Sequence, residues 1–342
     1  MNKMFTEFDN GVRFDANAES FVESFYVNWS DQTTQRAMVT RYVMVNGGSA
    51  ETSFAEVWCW FRDKKKGIDK SYRQQYPLSA AKYTKGETGI MIGNSCSLDE
   101  NRCKGRILAD GDDISWDFDL DKSSAVAINR VPDTEKLDYF FQFRSLGCKQ
   151  SLSGTLSVNE LYYDIDNVKA TDGHYWNVQQ LQTWSWANCV DFEEDSSAVL
   201  ESIGYCLYQP CAPTITHSAL KTDSGFYQNG ALDSVYRNSS SYTDSKSWQY
   251  SSESDGCYYE AKLSADSDDM ILILHPLPDG NFLYTTISLF ANAVVDVFEE
   301  KGGNKTKQLN ARGCASFEVT SPVKNEAVTR EFKIVPAHST LL

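Results

Sequence analysis

An all-β fold, built as two antiparallel β-barrel domains packed together, is predicted by three features of the sequence. Hydrophobic residues recur with period two almost throughout, the strand-like runs are separated by Gly-, Asn- and Asp-rich turns, and no amphipathic helix is interposed. The length of 342 residues exceeds what one hydrophobic core usually organises, so two domains are expected, 1–168 and 169–342.

The strands follow in order. Gln35 to Asn46 (QRAMVTRYVMVN), Ser53 to Arg62 (SFAEVWCWFR), Asp113 to Leu120 (DISWDFDL) and Leu137 to Arg144 (LDYFFQFR) are aromatic or β-branched runs, broken by Asn46-Gly47-Gly48 and Asp110-Gly111-Asp112. The pattern resumes at Leu152 to Val158, Leu161 to Val168, Leu181 to Phe192, Cys257 to Leu263, Met270 to His275 and Phe282 to Glu299. Ser197 to Ile203 reads either as a helical turn or as a short strand. Residues 223–255, rich in Ser, Asn, Asp and Gly, read as loops and hairpin turns.

Composition excludes several classes of function. A net charge of -15 repels phosphate backbones, and the only basic run, Lys64 to Lys66, suits a solvated turn, so no nucleic-acid partner is expected. No stretch reaches the roughly 18 apolar residues of a membrane helix. The best run, Ile287 to Phe298, is interrupted by Ser288, Asn292 and Asp296. Residues 1–10 contain Glu7 and Asp9 and lack the apolar segment of a secretory signal, and the nine cysteines form no CxxC pair. Free, buried thiols in a reducing compartment, the cytoplasm, are therefore expected, with Cys206 and Cys211 the one pair near enough in sequence to bond. The GxSxG, GxGxxG, P-loop and HExxH motifs are absent, which removes the main support for hydrolase, dinucleotide, nucleotide and zinc-protease readings. Asp110 to Asp121 lacks the glycine and glutamate placement of a calcium loop and alternates like a strand. His174, His217, His275 and His338 are too dispersed to announce a metal site, and none is expected.

One segment concentrates chemistry: residues 170–192, ATDGHYWNVQQLQTWSWANCVDF. On a strand Asp172, His174 and Trp176 share one face, and Trp184, Trp186 and Asn188 share another. An earlier strand puts Glu56, Trp58 and Trp60 on one side and Val57, Cys59 and Phe61 on the other. Wide apolar side chains with a few polar anchors are what a ligand-holding barrel needs. The same indoles also serve as plain core filling, Asp172-Gly173 as a turn beside a satisfied histidine, and Asn188 as a local hydrogen-bond partner.

The succession SGTLSVNELYYDIDNV, ATDGHYW and WSWANCVDF resembles the junction between the two lipocalin-like domains of the family that includes carotenoid 1,2-hydratases, relatives in kind of tocopherol cyclases and lipocalin-like Diels-Alderases. Gly173 stands between Asp172 and His174 of the matching motif. The resemblance implies two lipocalin-like barrels and an enzyme without a cofactor. Its substrate would be an extended apolar molecule, terpenoid or polyketide-like. The reaction would be olefin protonation with hydration or cyclisation, or guidance of a pericyclic, Diels-Alder-type closure. Asp172 is then the acid, its pKa raised by an apolar pocket, and His174 its partner or a donor. Asn188, Tyr163 or His174 would hydrogen-bond a substrate carbonyl. Glu56, Trp58, Trp60, Tyr163, Trp176, Trp184 and Trp186 would line the pocket, the indoles steadying positive charge through their faces. Two other readings remain open from the residues: a carrier of a hydrophobic small molecule, and a sugar binder using Trp248, Tyr250, Tyr258 and Tyr259 as exposed platforms. The pocket is expected at the interface between the domains.

Overall fold

The computed structural model describes residues 10–18, 20–129, 141–177, 183–206, 215–229, 237–244, 246–254, 256–276 and 282–341. Among them there is no α-helix, and no helix long and apolar enough to cross a membrane. The chain forms two curled antiparallel sheets, each wrapped as a lipocalin-like barrel round its own core. The opening residues of the strands expected from Leu137 and Leu181, and Cys211, lie outside the described residues.

The larger sheet has 14 strands. Its centre is the meander Phe21–Asp31, Arg36–Asn46, Phe54–Asp63 and Ile68–Pro77, and Leu161–Asn177 pairs with the free side of Phe21–Asp31. Gln150–Val158, Asp112–Asp121 and Arg102–Ala109 continue it. The hairpin between the last two turns on Asp110 and Gly111, both with positive φ (53° and 82°), the conformation whose twist suits a two-residue antiparallel loop. The curl is visible in bonds between strands far apart in the sheet: Trp116 Nε1 donates to Tyr42 Oη (3.1 Å), which donates to the Lys104 carbonyl (2.8 Å). The 10-stranded sheet closes in the same manner, Tyr259 donating to Ser218 Oγ (2.6 Å).

The expected division at 168/169 falls inside Leu161–Asn177. This 17-residue strand stays in the first sheet throughout, because residues 161–170 pair with Gln150–Val158 and residues 170–177 pair with Phe21–Asp31. The chain also returns at its end, where Lys333–Pro336 lies parallel to Ile68–Pro77. Residues 223–255, expected as loops, contain the strands Gly225–Asn229, Ser239–Asp244 and Ser247–Ser254. Trp248 and Tyr250 point inward there, while the polar residues between them had read as loop. Trp248, Tyr250, Tyr258 and Tyr259 are all buried, so they form no exposed sugar platform. Of Ser197 to Ile203, residues 199–203 are strand, the opening of Val199–Cys206, and Ser197 lies in the turn before it. The eight described cysteines are buried.

The strands of the meander are buried on both faces. From Phe54–Asp63, Val57, Cys59 and Phe61 enter the first core. Trp58 and Trp60 point outward and pack, with Val39 and Val43, against Ile271, Ile273, Ile287 and Leu289 of the second sheet. A second inter-sheet cluster joins Tyr26 and Phe143 to Trp186, Ile203 and Tyr205. Gly173 makes one of these contacts geometrically feasible, since a Cβ there would lie 2.2 Å from the ring of Tyr26. Gly173→Ala is accordingly expected to lower stability by about 1–3 kcal/mol in denaturant unfolding, with partial recovery on adding Tyr26→Val.

Candidate functional site

Between the two clusters the sheets part around a cavity of about 390 Å³. Its floor is the outer face of the first sheet, and the register places that floor in rungs. Val22, Val45 and Phe54 lie side by side near the mouth; Ser24, Val43 and Glu56 come next; Tyr26, Arg41 and Trp58 form the inner rung. Four residues of strand rise separate the first rung from the third, so the slot is about 13 Å deep. Asn28, Val39 and Trp60 occupy the following rung and close it, Asn28 donating to Ser316 Oγ of the second sheet (2.8 Å). Tyr175 and Phe143 form one wall, and Trp184, Trp186, Ile203, His275 and Glu318 form the roof.

The walls are mostly apolar, and the inner end is charged. Arg73 donates to Glu56 Oε2 through Nε (3.1 Å) and Nη2 (2.9 Å), and Trp58 Nε1 donates to the same oxygen (2.7 Å). Arg73 Nη1 also donates to the Leu274 carbonyl (2.6 Å), tying the pair to the second sheet. Across the slot Glu318 receives Trp184 Nε1 (2.9 Å) and the guanidinium of Arg41. Glu56, Arg73 and Glu318 are almost wholly buried, which such charges tolerate because each is paired and hydrogen-bonded. The guanidiniums of Arg73 and Arg41 lie 4.4 and 5.4 Å from the ring centre of Trp58. That indole face is engaged by cations of the protein, so it does not fit the expected part of steadying a substrate carbocation.

His275 sits among these groups, its ring 6.0 Å from Trp58 and 5.8 Å from Trp184. Its Nε2 is buried and has no hydrogen-bond partner. Burial, then the charges of Arg73 and Arg41, push its pKa well below the ordinary histidine value, so the ring is neutral near pH 7. Burial and the negative Glu318 raise the phenol of Tyr175. The cavity thus presents an unprotonated imidazole and a neutral phenol among aromatic walls.

Four residues singled out in the sequence line this cavity: Glu56, Trp58, Trp184 and Trp186. The others lie elsewhere. Asp172, His174 and Trp176 project from Leu161–Asn177 to the opposite side, while Tyr175 between them faces the cavity. His174 Nε2 bonds Glu23 Oε1 (2.7 Å), its ring stacks on Phe25, and burial lowers its pKa. Asp172 pairs with Lys122 (2.5 Å) beside a void of about 10 Å³, room for a single water. Trp176 lies in the first core. Tyr163 packs in that core against Phe61, with ring centres 5.1 Å apart, and Trp60 donates to Asp69 Oδ1 (2.8 Å) behind the closed rung. Asn188 and Trp186 both donate to the buried Glu201. Arg41, Arg73, Tyr175, His275 and Glu318 escaped sequence reasoning, because they sit on five different strands and only the packing of one sheet on the other assembles them. The one available signal was Glu318, at opposite parity to its apolar strand neighbours Phe317 and Val319. Among the described residues, no three His, Cys, Asp or Glu side chains gather as a metal-ligand set.

No protein family and no curated protein matches the chain by sequence. Solved structures do match over nearly the whole chain. A candidate AttH protein from Nitrosomonas europaea superposes with a TM-score of 0.59 at 12% identity, covering 95% of this chain and 99% of the other. Kievitone hydratase from Nectria haematococca superposes with a TM-score of 0.51 at 9% identity, covering 92% and 94%. The chain has their fold. That likeness agrees with the two lipocalin-like barrels implied by the sequence resemblance, and at these identities it speaks for the fold alone.

Proposed function

We propose that the cavity between the sheets is the active site of a hydratase- or cyclase-type enzyme acting on an elongated, apolar small molecule, with His275 moving the proton. The observation that carries this reading is the neutral imidazole whose Nε2 is buried without a partner at the inner end of an aromatic slot. A buried polar atom left unpaired costs stability, and a pure carrier of apolar molecules has no need of one. Kievitone hydratase, which shares the fold, is one example of the chemistry this architecture can carry.

The chemistry is balanced by water alone. In a hydration, Nε2 takes a proton from water as the oxygen bonds to one carbon of a polarised double bond, and the imidazolium returns that proton to the other carbon. In a ring closure, a substrate hydroxyl replaces the water. The imidazolium formed at His275 in the first step faces the negative charge that develops on the substrate and stabilises it. A terpenoid or polyketide-like skeleton fits the slot equally well, and a pericyclic closure would use the walls without the imidazole.

Native mass spectrometry of the purified protein, with extraction of any bound small molecule and incubation with its unsaturated precursor, tests the proposal. A product heavier by one water, or isomeric with the precursor, is expected to form faster than in buffer. It should be slowed by His275→Phe and formed at the wild-type rate by Asp172→Asn. A ligand released unchanged in every incubation would leave a carrier.

A further inference from the structure

The paired charges at the inner end have a consequence for specificity. Arg41 and Arg73 are the two cations there, Glu56 and Glu318 the two carboxylates, and each guanidinium already donates to a carboxylate. Each carboxylate also holds an indole N–H, from Trp58 or Trp184, so neither pair can turn toward a ligand without stranding a buried donor. The inner end is thus electrically balanced. At the mouth, Ser20, Asn46, Thr52 and Asn177 are uncharged and the exposed Glu51 is acidic, while the whole chain carries -15. An anion meets repulsion on entry and no uncommitted cation inside. A cation passes the mouth and then finds both carboxylates occupied. Among the described residues that line the cavity, the buried polar side-chain atom without a partner is His275 Nε2.

We propose that the Arg41–Glu318 and Arg73–Glu56 pairs act as a charge filter that restricts the cavity to uncharged ligands, and that His275 Nε2 selects those bearing one hydrogen-bonding oxygen, hydroxyl or carbonyl, at the inner end. This rests on the reading of the cavity as the ligand site. Arg41, Arg73, Glu56 and Glu318 are then specificity-determining residues, and their indole partners hold the filter in register. The slot accommodates a linear two-ring skeleton lying along the strands with its oxygen innermost.

Equilibrium dialysis at neutral pH with biphenyl, 4-hydroxybiphenyl, biphenyl-4-carboxylate and 4-biphenylmethylamine tests the filter. The hydroxyl compound is expected to bind about 10-fold tighter than biphenyl, the gain of one hydrogen bond to a buried unpaired atom, and at least about 30-fold tighter than either charged compound. His275→Phe should abolish the preference for hydroxyl over hydrogen while still binding biphenyl. Glu318→Gln, which frees Arg41, should raise affinity for the carboxylate about 10-fold with little change for biphenyl. Equal or tighter binding of the carboxylate by the unaltered protein, or a hydroxyl preference that survives His275→Phe, overturns the filter and leaves the cavity as the ligand site. Failure of all four probes to bind overturns the cavity reading itself, and the filter with it.

Discussion

His275→Phe lowers the turnover number about 10²- to 10⁴-fold, the range over which a positioned acid or base contributes, and raises KM by about 10-fold, the hydrogen bond lost from the substrate's inner oxygen. Steady-state kinetics on the substrate identified by extraction checks this. The ring replacing imidazole keeps the contacts with Trp58 and Trp184, so the loss reports proton transfer rather than packing. The pH profile gives a second readout. With the folded-state pKa of His275 held well below the ordinary value by burial and by Arg73 and Arg41, activity should stay level between about pH 6 and pH 8, where an unperturbed histidine would titrate. The same depression makes stability depend on pH. Below about pH 6.5 the unfolded imidazole takes up a proton that the folded one refuses, so stability falls on acidification until the folded pKa is reached. His174, also depressed, adds to that fall. His275→Phe should flatten part of the fall, as measured by denaturant unfolding near pH 7 and pH 5. A turnover number unchanged in the variant would remove His275 from the mechanism.

Arg73→Met destabilises the fold by about 3–5 kcal/mol, because the carboxylate of Glu56 is then left buried among apolar side chains with only weak donors. The double variant Arg73→Met/Glu56→Met removes both charges and should recover most of that loss. Urea unfolding of the two single variants and the double separates the outcomes. Strong non-additivity is expected, since the groups share a bidentate contact, and so is a slope against urea close to wild type, since the exposed surface is unchanged. Additive losses would mean that the pair is solvated and that the inner end of the slot is open to water. Arg73 is also the residue that reaches across to the Leu274 carbonyl, so part of the loss is weakened docking of one sheet on the other.

The strand pattern was readable because side chains alternate across a strand, so Trp58 and Trp60 had to oppose Val57, Cys59 and Phe61 whatever the fold. The same parity put Trp184, Trp186 and Asn188 on one face and grouped Asp172, His174 and Trp176. Two kinds of segment resisted. Residues 223–255 hide strands because serines and other polar residues cover the outward face. The strand Leu161–Asn177 hides its allegiance because its length serves two successive neighbours within one sheet.

Parity alone does not say which face of a strand meets which neighbour, and this separates what the sequence determined from what tertiary structure decided. Alternation and turn chemistry are local, so an all-β chain with aromatic-rich strands followed from residues a few positions apart. In the meander both faces are buried, one in the first core and one against the second sheet, and hydrophobicity does not distinguish them. Only the curl of the first sheet turns Asp172 and His174 toward the small void and the first core, and Tyr175 toward the large cavity. Only the docking of the second sheet brings His275 and Glu318 to Arg41, Arg73 and Glu56, from residues more than 200 positions away in the chain. A site made by two packed surfaces depends on long-range contacts, whose physical cause is burial shared between distant strands, and no local pattern records them.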